Sequence, residues 1–398
     1  MTYYLLPKTS YLIHKHIDYM ENEEIPIPVI SNSLAMYLYN MKEKLDKKEK
    51  DWDIFKKYTN PYEYIHTQLS YKKKSISKHK PLSRSYFKMI EIINTFDLVF
   101  DSRPINSFHL AEGPGGFIEA LVELRKCQHD KYVGMTILDE LNDPSIPGWK
   151  KSETFLKQNK NVFIEKAADN TGNILSLDNY NFCRNKYGST MDFITADGGF
   201  DFSLDFNKQE INIAKLLFGQ IAYAISMQKK GGCFVLKMFD TFMQHSIDLL
   251  YILSSFYDKV YIIKPHTSRY ANSEKYIVCK GFTDIPFEQY STYIEKTFEN
   301  MLTSSGNLHI HRFLNLPISM LFSIKLEEYN AIFGQQQIEN IHYTIMLIDN
   351  KHKQDKIDSL INTNIQKCIM WCTKYNIPYN QITYHTNIFL DCNTTTDV

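Results

Sequence analysis

The 398-residue sequence has no Cys-x-x-Cys pair, and its 7 cysteines are an odd number. Cys368 and Cys372 stand four apart, which on a helix is one face and not a zinc knuckle. Neither a disulfide framework nor a cysteine-held metal is expected, and a reducing compartment suits this set. No stretch approaches the roughly 18 apolar residues of a membrane span, and Met1–Lys8 lacks a charged start leading into a long apolar run. A soluble, intracellular protein is expected. Charge of one sign is missing as well, with 45 Lys and Arg against 45 Asp and Glu. That balance excludes a uniformly basic surface, so a nucleic-acid partner would have to meet a local basic patch. Gly-x-Gly-x-x-Gly is absent, and no Walker lysine follows the glycine cluster, which disfavours a nucleotide dehydrogenase and a P-loop NTPase.

What remains is the composition of an ordinary globular protein, 43% hydrophobic and 23% charged, with length for about two domains. The 27 Tyr and 25 Phe serve an aromatic core as readily as base-stacking platforms. Residues 1–80 are polar and expected to be mostly helical, ending in a basic segment. Between Tyr64 and Ile90, Lys72, Lys73, Lys74, Lys78, Lys80, Arg84 and Lys88 occur without one Asp or Glu, which suits either a solvated loop or a nucleic-acid contact.

From about 105 to 281, short apolar runs alternate with helical patterns, the mark of a parallel sheet covered on both faces. Candidate strands are 107–111, 131–137, 162–166, 192–196, 233–237, 260–263 and 276–279, with a helical stripe over 211–228. The expected fold class is α/β: a Rossmann-like, seven-stranded domain over 81–285, with mostly helical extensions over 1–80 and 286–398. Residues 360–375 read as the best helix of the C-terminal region, and Asp391–Val398 as a frayed tail.

Four elements fall at carboxyl ends of these strands, or beside them, where open α/β sheets bind ligands. The first is Ala111-Glu112-Gly113-Pro114-Gly115-Gly116-Phe117, a strand-to-helix turn whose glycines allow close approach to the backbone. The second is Ala196-Asp197-Gly198-Gly199-Phe200, where Asp197 either caps a turn or faces a site. The third ends a buried strand with Lys237, and a lysine there must be paired or reach out to water. The fourth, Ser268-Arg269 through Asn272-Ser273-Glu274-Lys275-Tyr276, sets Glu274 just before the last strand.

In this order, Lys88, the Gly-Pro-Gly-Gly-Phe turn, Asp197, Lys237 and Glu274 resemble the FtsJ/RrmJ-like S-adenosylmethionine-dependent RNA ribose 2′-O-methyltransferases, with their Lys-Asp-Lys-Glu tetrad. The likeness is greatest to the cap-specific mRNA branch, through Asn60-Pro61-Tyr62-Glu63, Gly134-Met135-Thr136, Lys237-x-Phe239-Asp240 and Ser273-Glu274-x-Tyr276-x-Val278-Cys279-Lys280-Gly281, and spans roughly 60–281. The resemblance implies transfer of a methyl group to the ribose 2′-hydroxyl of the first transcribed nucleotide of capped mRNA, with no metal. Methylation of ribosomal or transfer RNA, and a non-catalytic RNA-binding scaffold, are the alternatives.

The resemblance makes Lys88, Asp197, Lys237 and Glu274 catalytic, with Lys237 as base or hydroxyl-orienting group. A lysine works as a base near neutral pH only where a second cation or loss of water favours its neutral form. It also places S-adenosylmethionine against Gly113, Pro114, Gly115, Gly116, Phe117, Thr136, Asn173, Ile174 and Asp197. Asn173 stands where the family usually has Asp, and its amide can still accept from an adenine amino group. RNA contacts are expected from Lys72, Lys73, Lys74, Lys78, Lys80, Arg84 and Arg269, with few phosphates and so a shallow salt dependence. The region after Gly281 suits cap clamping, a capping-enzyme or polymerase contact, or self-association. The composition suits a large cytoplasmic DNA virus or a protist; a viral protein of this kind would be in the cytoplasm, a cellular cap enzyme in the nucleus.

Overall fold

The computed structural model describes residues 2–9, 11–46, 48–69, 72–99, 102–138, 148–199, 206–304 and 308–381. The C-terminal tail from Asp391 and Phe200 of the Asp-Gly-Gly-Phe motif lie outside these residues.

Among the described residues, ten strands occur in chain order: β1 Tyr3–Leu5, β2 Ile17–Asn22, β3 Asn106–Leu110, β4 Lys131–Met135, β5 Val162–Glu165, β6 Met191–Ala196, β7 Gln228–Met238, β8 Tyr257–Ile263, β9 Lys275–Phe282 and β10 His309–Leu314. Eight of them form one sheet in the order β1-β8-β9-β7-β6-β3-β4-β5. The block β5, β4, β3, β6, β7 is parallel, and β9 inserts between β7 and β8, antiparallel to both. All seven expected strands are present. The eighth, β1, pairs antiparallel with β8 at the edge, so the sheet is larger than the seven strands expected.

Alternation along the central strands divides the core between two faces. Phe193, Val235, Tyr276 and Val278 enter one cluster, with helices Ser85–Phe96, Gly116–Arg125 and Gln354–Lys374. Ile194, Leu236, Ile277 and Cys279 enter the other, with helices Ala214–Met227, Gln244–Phe256 and Ser291–Thr303. Helix Ala214–Met227 buries every residue except Lys215, more than the one-sided stripe expected over 211–228. A helix wedged between a sheet and other helices has no solvent face to leave polar.

Both extensions contain strands as well as helices. β2 of the N-terminal region pairs with β10 of the C-terminal region, a ribbon of two segments far apart in sequence. Helix Met320–Asp349 lies against helices Asn32–Asp46 and Glu49–Thr59, and helix Gln354–Lys374 packs on Glu63–Ile65. The described parts of the N- and C-terminal regions are thereby braced against each other.

Candidate active site

The antiparallel register of β7 and β9 sets Lys237 opposite Tyr276, and the parallel register of β6 and β7 sets Leu236 beside Ala196, so Lys237 adjoins Asp197. Lys237 Nζ donates to the Asp197 carbonyl at 2.6 Å and lies 3.3 Å from its carboxylate Oδ1. A Cβ on Gly199 would stand 3.2 Å from that amine, so the second glycine after Asp197 leaves the lysine room. Helix Ser85–Phe96 delivers Lys88 from the other side, 2.7 Å from Glu274 Oε1 and 2.8 Å from Oε2.

The two pairs meet at Tyr276. Its hydroxyl receives a hydrogen bond from Lys88 Nζ at 3.4 Å and donates to Asp197 Oδ1 at 3.0 Å. Burial, then the Asp197 charge, pushes the Tyr276 phenol well above its ordinary pKa, so it remains a donor. Ser268 Oγ donates to Glu274 Oε1 at 2.6 Å. Burial alone would raise the Glu274 carboxyl, but the Lys88 and Lys237 charges hold it well below the carboxylate range. Burial lowers the Lys88 ammonium against the pull of Glu274 and Asp197. The Lys237 and Asp197 side chains are 13% and 18% exposed, those of Lys88 and Glu274 9% and 10%. Lys237 and Asp197 therefore reach furthest toward solvent, and the other pair braces them.

Next to this cluster lies the glycine turn. Gly115 adopts φ of +104° and opens helix Gly116–Arg125. Cβ atoms on Gly113 and Gly115 would meet Gly148 and the Trp149 ring, and one on Gly116 would meet Ser83 and Ser85. On that side, the room left by the glycines is taken by the protein's own chain. Phe117 and Ile174 are buried in the two cores, and Asn173 is half-buried with its Oδ1 accepting from Leu175 N at 2.9 Å. Thr136 is buried at the end of β4, where the 170–174 loop folds over: Leu138 N donates to Thr171 O at 2.7 Å. Glu112, buried in the turn, accepts from Phe117 N at 2.6 Å and Ile118 N at 3.3 Å. Burial and then the Asp197 charge push its carboxyl well above the ordinary range. A cation near Asp197 and Glu112 would relieve the repulsion that raises the Glu112 carboxyl, and the half-buried Asn173 side-chain amide is complementary to a base edge. These residues fit S-adenosylmethionine, whose sulfonium and ammonium are both cationic.

The expected RNA contacts divide into two sets. Lys72, Lys74 and Lys78 are exposed and line an open groove of about 870 Å³ with Asn376–Gln381, while Lys80 borders a smaller hollow with His66, Thr67 and His79. Lys73 is exposed between them in sequence. Arg84 and Arg269, offered by the sequence as phosphate contacts, both converge on Glu63. Tyr276, Ser268, Glu112 and Glu63 have no role in the sequence reading. The first clue available for them was position: each lies inside a quoted motif, within six residues of a tetrad or turn residue or in the Asn-Pro-Tyr-Glu box.

Comparison with known proteins gives the family. The FtsJ-like methyltransferase family matches residues 81–282, just over half of the chain. The chain is 30% identical over 335 residues to the cap-specific mRNA (nucleoside-2′-O-)-methyltransferase 2 of Pongo abelii, covering 81% of this chain and 42% of that protein. It is 28% identical over 262 residues to methyltransferase 1 of the same description from Trypanosoma brucei brucei, covering 62% and 66%. Against methyltransferase 1 of Mus musculus the identity is 35% over 225 residues, covering 50% and 26%. The matches thus span from about a quarter to two thirds of the relatives' own lengths. With the tetrad residues gathered at the sheet edge and the family match enclosing them, this chain belongs to the FtsJ-like methyltransferases.

Proposed function

We propose that the chain methylates a ribose 2′-hydroxyl of capped mRNA, at the first transcribed nucleotide. The observation that carries this reading is the joining of Lys237–Asp197 to Lys88–Glu274 through the Tyr276 hydroxyl. The relatives named above, described as cap-specific mRNA (nucleoside-2′-O-)-methyltransferases, support the choice of substrate over ribosomal or transfer RNA.

When bound, S-adenosylmethionine supplies a methyl carbon already activated by its cationic sulfur, so the chain's own task is alignment and proton removal. The residues that would hold it are the Gly113–Gly116 turn, Thr136, Asn173 and Asp197. Lys237, the more exposed lysine, orients the 2′-hydroxyl and, in its neutral amine form, takes its proton as the oxygen gains the methyl group, becoming the ammonium. Asp197 holds Lys237 at its working position, and Lys88 with Glu274 fixes Tyr276 from behind. RNA phosphates lie along Lys72, Lys73, Lys74, Lys78 and Lys80, leading toward the helix of Lys88. A metal is not needed for this step.

The test uses labelled S-adenosylmethionine and matched RNAs bearing a 7-methylguanosine cap, an unmethylated cap or a 5′-triphosphate, followed by digestion to locate the label. Label is expected on the first transcribed nucleotide of the methylated-cap RNA. Cap-independent labelling would move the reading to other RNAs, and capped-RNA binding without any labelling would favour a scaffold. Lys237→Ala is expected to lower kcat by about 10²- to 10⁴-fold. Full activity in that variant would remove Lys237 from the mechanism.

A further inference from the structure

Behind the tetrad, one buried carboxylate gathers the two arginines. Arg269 grips Glu63 with two prongs, Nη2 to Oε1 at 2.7 Å and Nε to Oε2 at 3.1 Å, while Arg84 Nη1 lies 3.6 Å from Oε2. Asn60 Nδ2 and Thr67 Oγ1 donate to the same carboxylate at 2.7 and 2.9 Å. The Glu63 side chain is 1% exposed, whereas those of Arg84 and Arg269 are 30% and 31% exposed. A carboxylate so enclosed is fixed in place, and the guanidiniums on it still face water.

What the arginines belong to gives the arrangement its meaning. Arg84 immediately precedes helix Ser85–Phe96, which carries Lys88, and its Nη2 donates to Thr267 O at 3.0 Å. Arg269 lies in the same loop as Thr267, and that loop runs through Ser268, which orients Glu274, to Glu274 itself. Glu63 therefore joins the helix of one tetrad residue to the loop of another. It comes from outside the family-matched segment 81–282.

The same contacts act on RNA binding with the opposite sign. Two guanidiniums against one carboxylate leave a single net positive charge where two would stand without Glu63. Each cation available to the phosphate chain raises affinity and steepens its salt dependence. Neutralising one of them beside the site weakens substrate binding, unless something else is gained.

We propose that Glu63 is a positioning residue that gives up RNA phosphate affinity to hold Lys88 and Glu274 in register. The proposal rests on the reading of the site as an RNA methyltransferase. Its test compares the full chain with Glu63→Gln and with Arg269→Lys, each checked for folding by thermal unfolding. Capped-RNA affinity is measured against salt concentration, and kcat and KM for both substrates at saturation.

Glu63→Gln is expected to bind RNA several-fold more tightly at low salt, with the slope of log K against log salt steeper by about one. Its kcat is expected to fall at least about tenfold, with KM for S-adenosylmethionine unchanged. Arg269→Lys keeps the charge but loses the two-pronged geometry, so its kcat should fall while its salt slope stays at the wild-type value. Full kcat in either folded variant, or an unsteepened slope in folded Glu63→Gln, would overturn the proposal. If Glu63→Gln does not fold, Arg269→Lys decides it by the same pair of readouts. A wild-type protein that methylates no RNA would sink the underlying reading instead, and the salt slopes would still judge the charge balance assigned to Glu63.

Discussion

Lys264 illustrates what burial does to a single charged group here. Its Nζ donates to Asn272 O at 2.5 Å, Asn272 Oδ1 at 3.2 Å and Glu274 O at 2.9 Å, closing the base of the loop that carries Glu274. Burial first, then the neighbouring Lys275, lowers its pKa to about 7, against the opposing pull of Glu274 and Asp240, with Lys88 adding to the lowering. From about pH 7 up to the unfolded lysine value near ~10.4, the unfolded chain holds a proton that the folded chain lacks. Stability from this group therefore rises with pH across that window and is flat below it. Denaturant unfolding between pH 7 and 10 should show a rising component that Lys264→Met removes; identical pH profiles would contradict this. Glu63 has the opposite charge preference but the same sign with pH, in the acid range. Burial would raise its carboxyl, but the Arg269 hydrogen bonds and the Arg84 charge hold it well below the usual range, so its pairing is present at neutral pH and fades only in acid.

Among the elements, the loop 170–174 depends on one backbone conformation. Gly172 has φ of +65°, and a Cβ there would stand 2.1 Å from the Thr136 carbonyl oxygen. Both strain and collision oppose a side chain, and neither can be relieved by a rotamer change because the neighbour is backbone. Gly172→Ala should weaken S-adenosylmethionine binding about tenfold or more in calorimetric titration and lower stability by about 1 kcal/mol or more. Unchanged affinity would detach this loop from the cofactor site. Helix Met320–Asp349 shows why some elements escaped the sequence pattern. Its buried face includes Asn330, Gln337 and Thr344, whereas Met320, Leu321, Ile324 and Met346 are exposed. Asn330 earns its burial by exchanging hydrogen bonds with Thr241, at 2.6 and 2.9 Å. Apolar periodicity cannot mark a helix whose inner face is partly polar. The strand pair β2 and β10 was equally hidden, because each is short and mixed in polarity and only their pairing defines them.

Across the whole molecule, the extensions are part of the same folded body as the sheet. Trp371 of helix Gln354–Lys374 is buried, and its ring lies 5.7 Å from that of Phe87, next to Lys88 in sequence. Truncating a buried tryptophan typically costs ~3–5 kcal/mol. Trp371→Ala is accordingly expected to destabilise the full chain by that order in denaturant unfolding, in a single transition shared with the sheet. A separate, early transition for the C-terminal region would show that it folds apart. The zero net charge also takes on a spatial meaning. Lysines 72, 74 and 78 stand exposed along one groove, while Arg84 and Arg269 are tied to Glu63 beside the site. Among the described residues, no helix is long and apolar enough to cross a membrane.

Local sequence alone determined the parallel block, the strand-end positions of Asp197 and Lys237 and the glycine turn, because strand and helix periods and turn chemistry act within a few residues. It also marked the tetrad by order and type. Only the tertiary structure decided that Tyr276 bridges the two charged pairs, that Arg84 and Arg269 belong to Glu63, and that β1, β2 and β10 exist as strands. Those facts depend on groups separated by up to hundreds of residues meeting in a low-dielectric interior, where a charge must find its partner. Spacing along the chain carries no record of which partner that is.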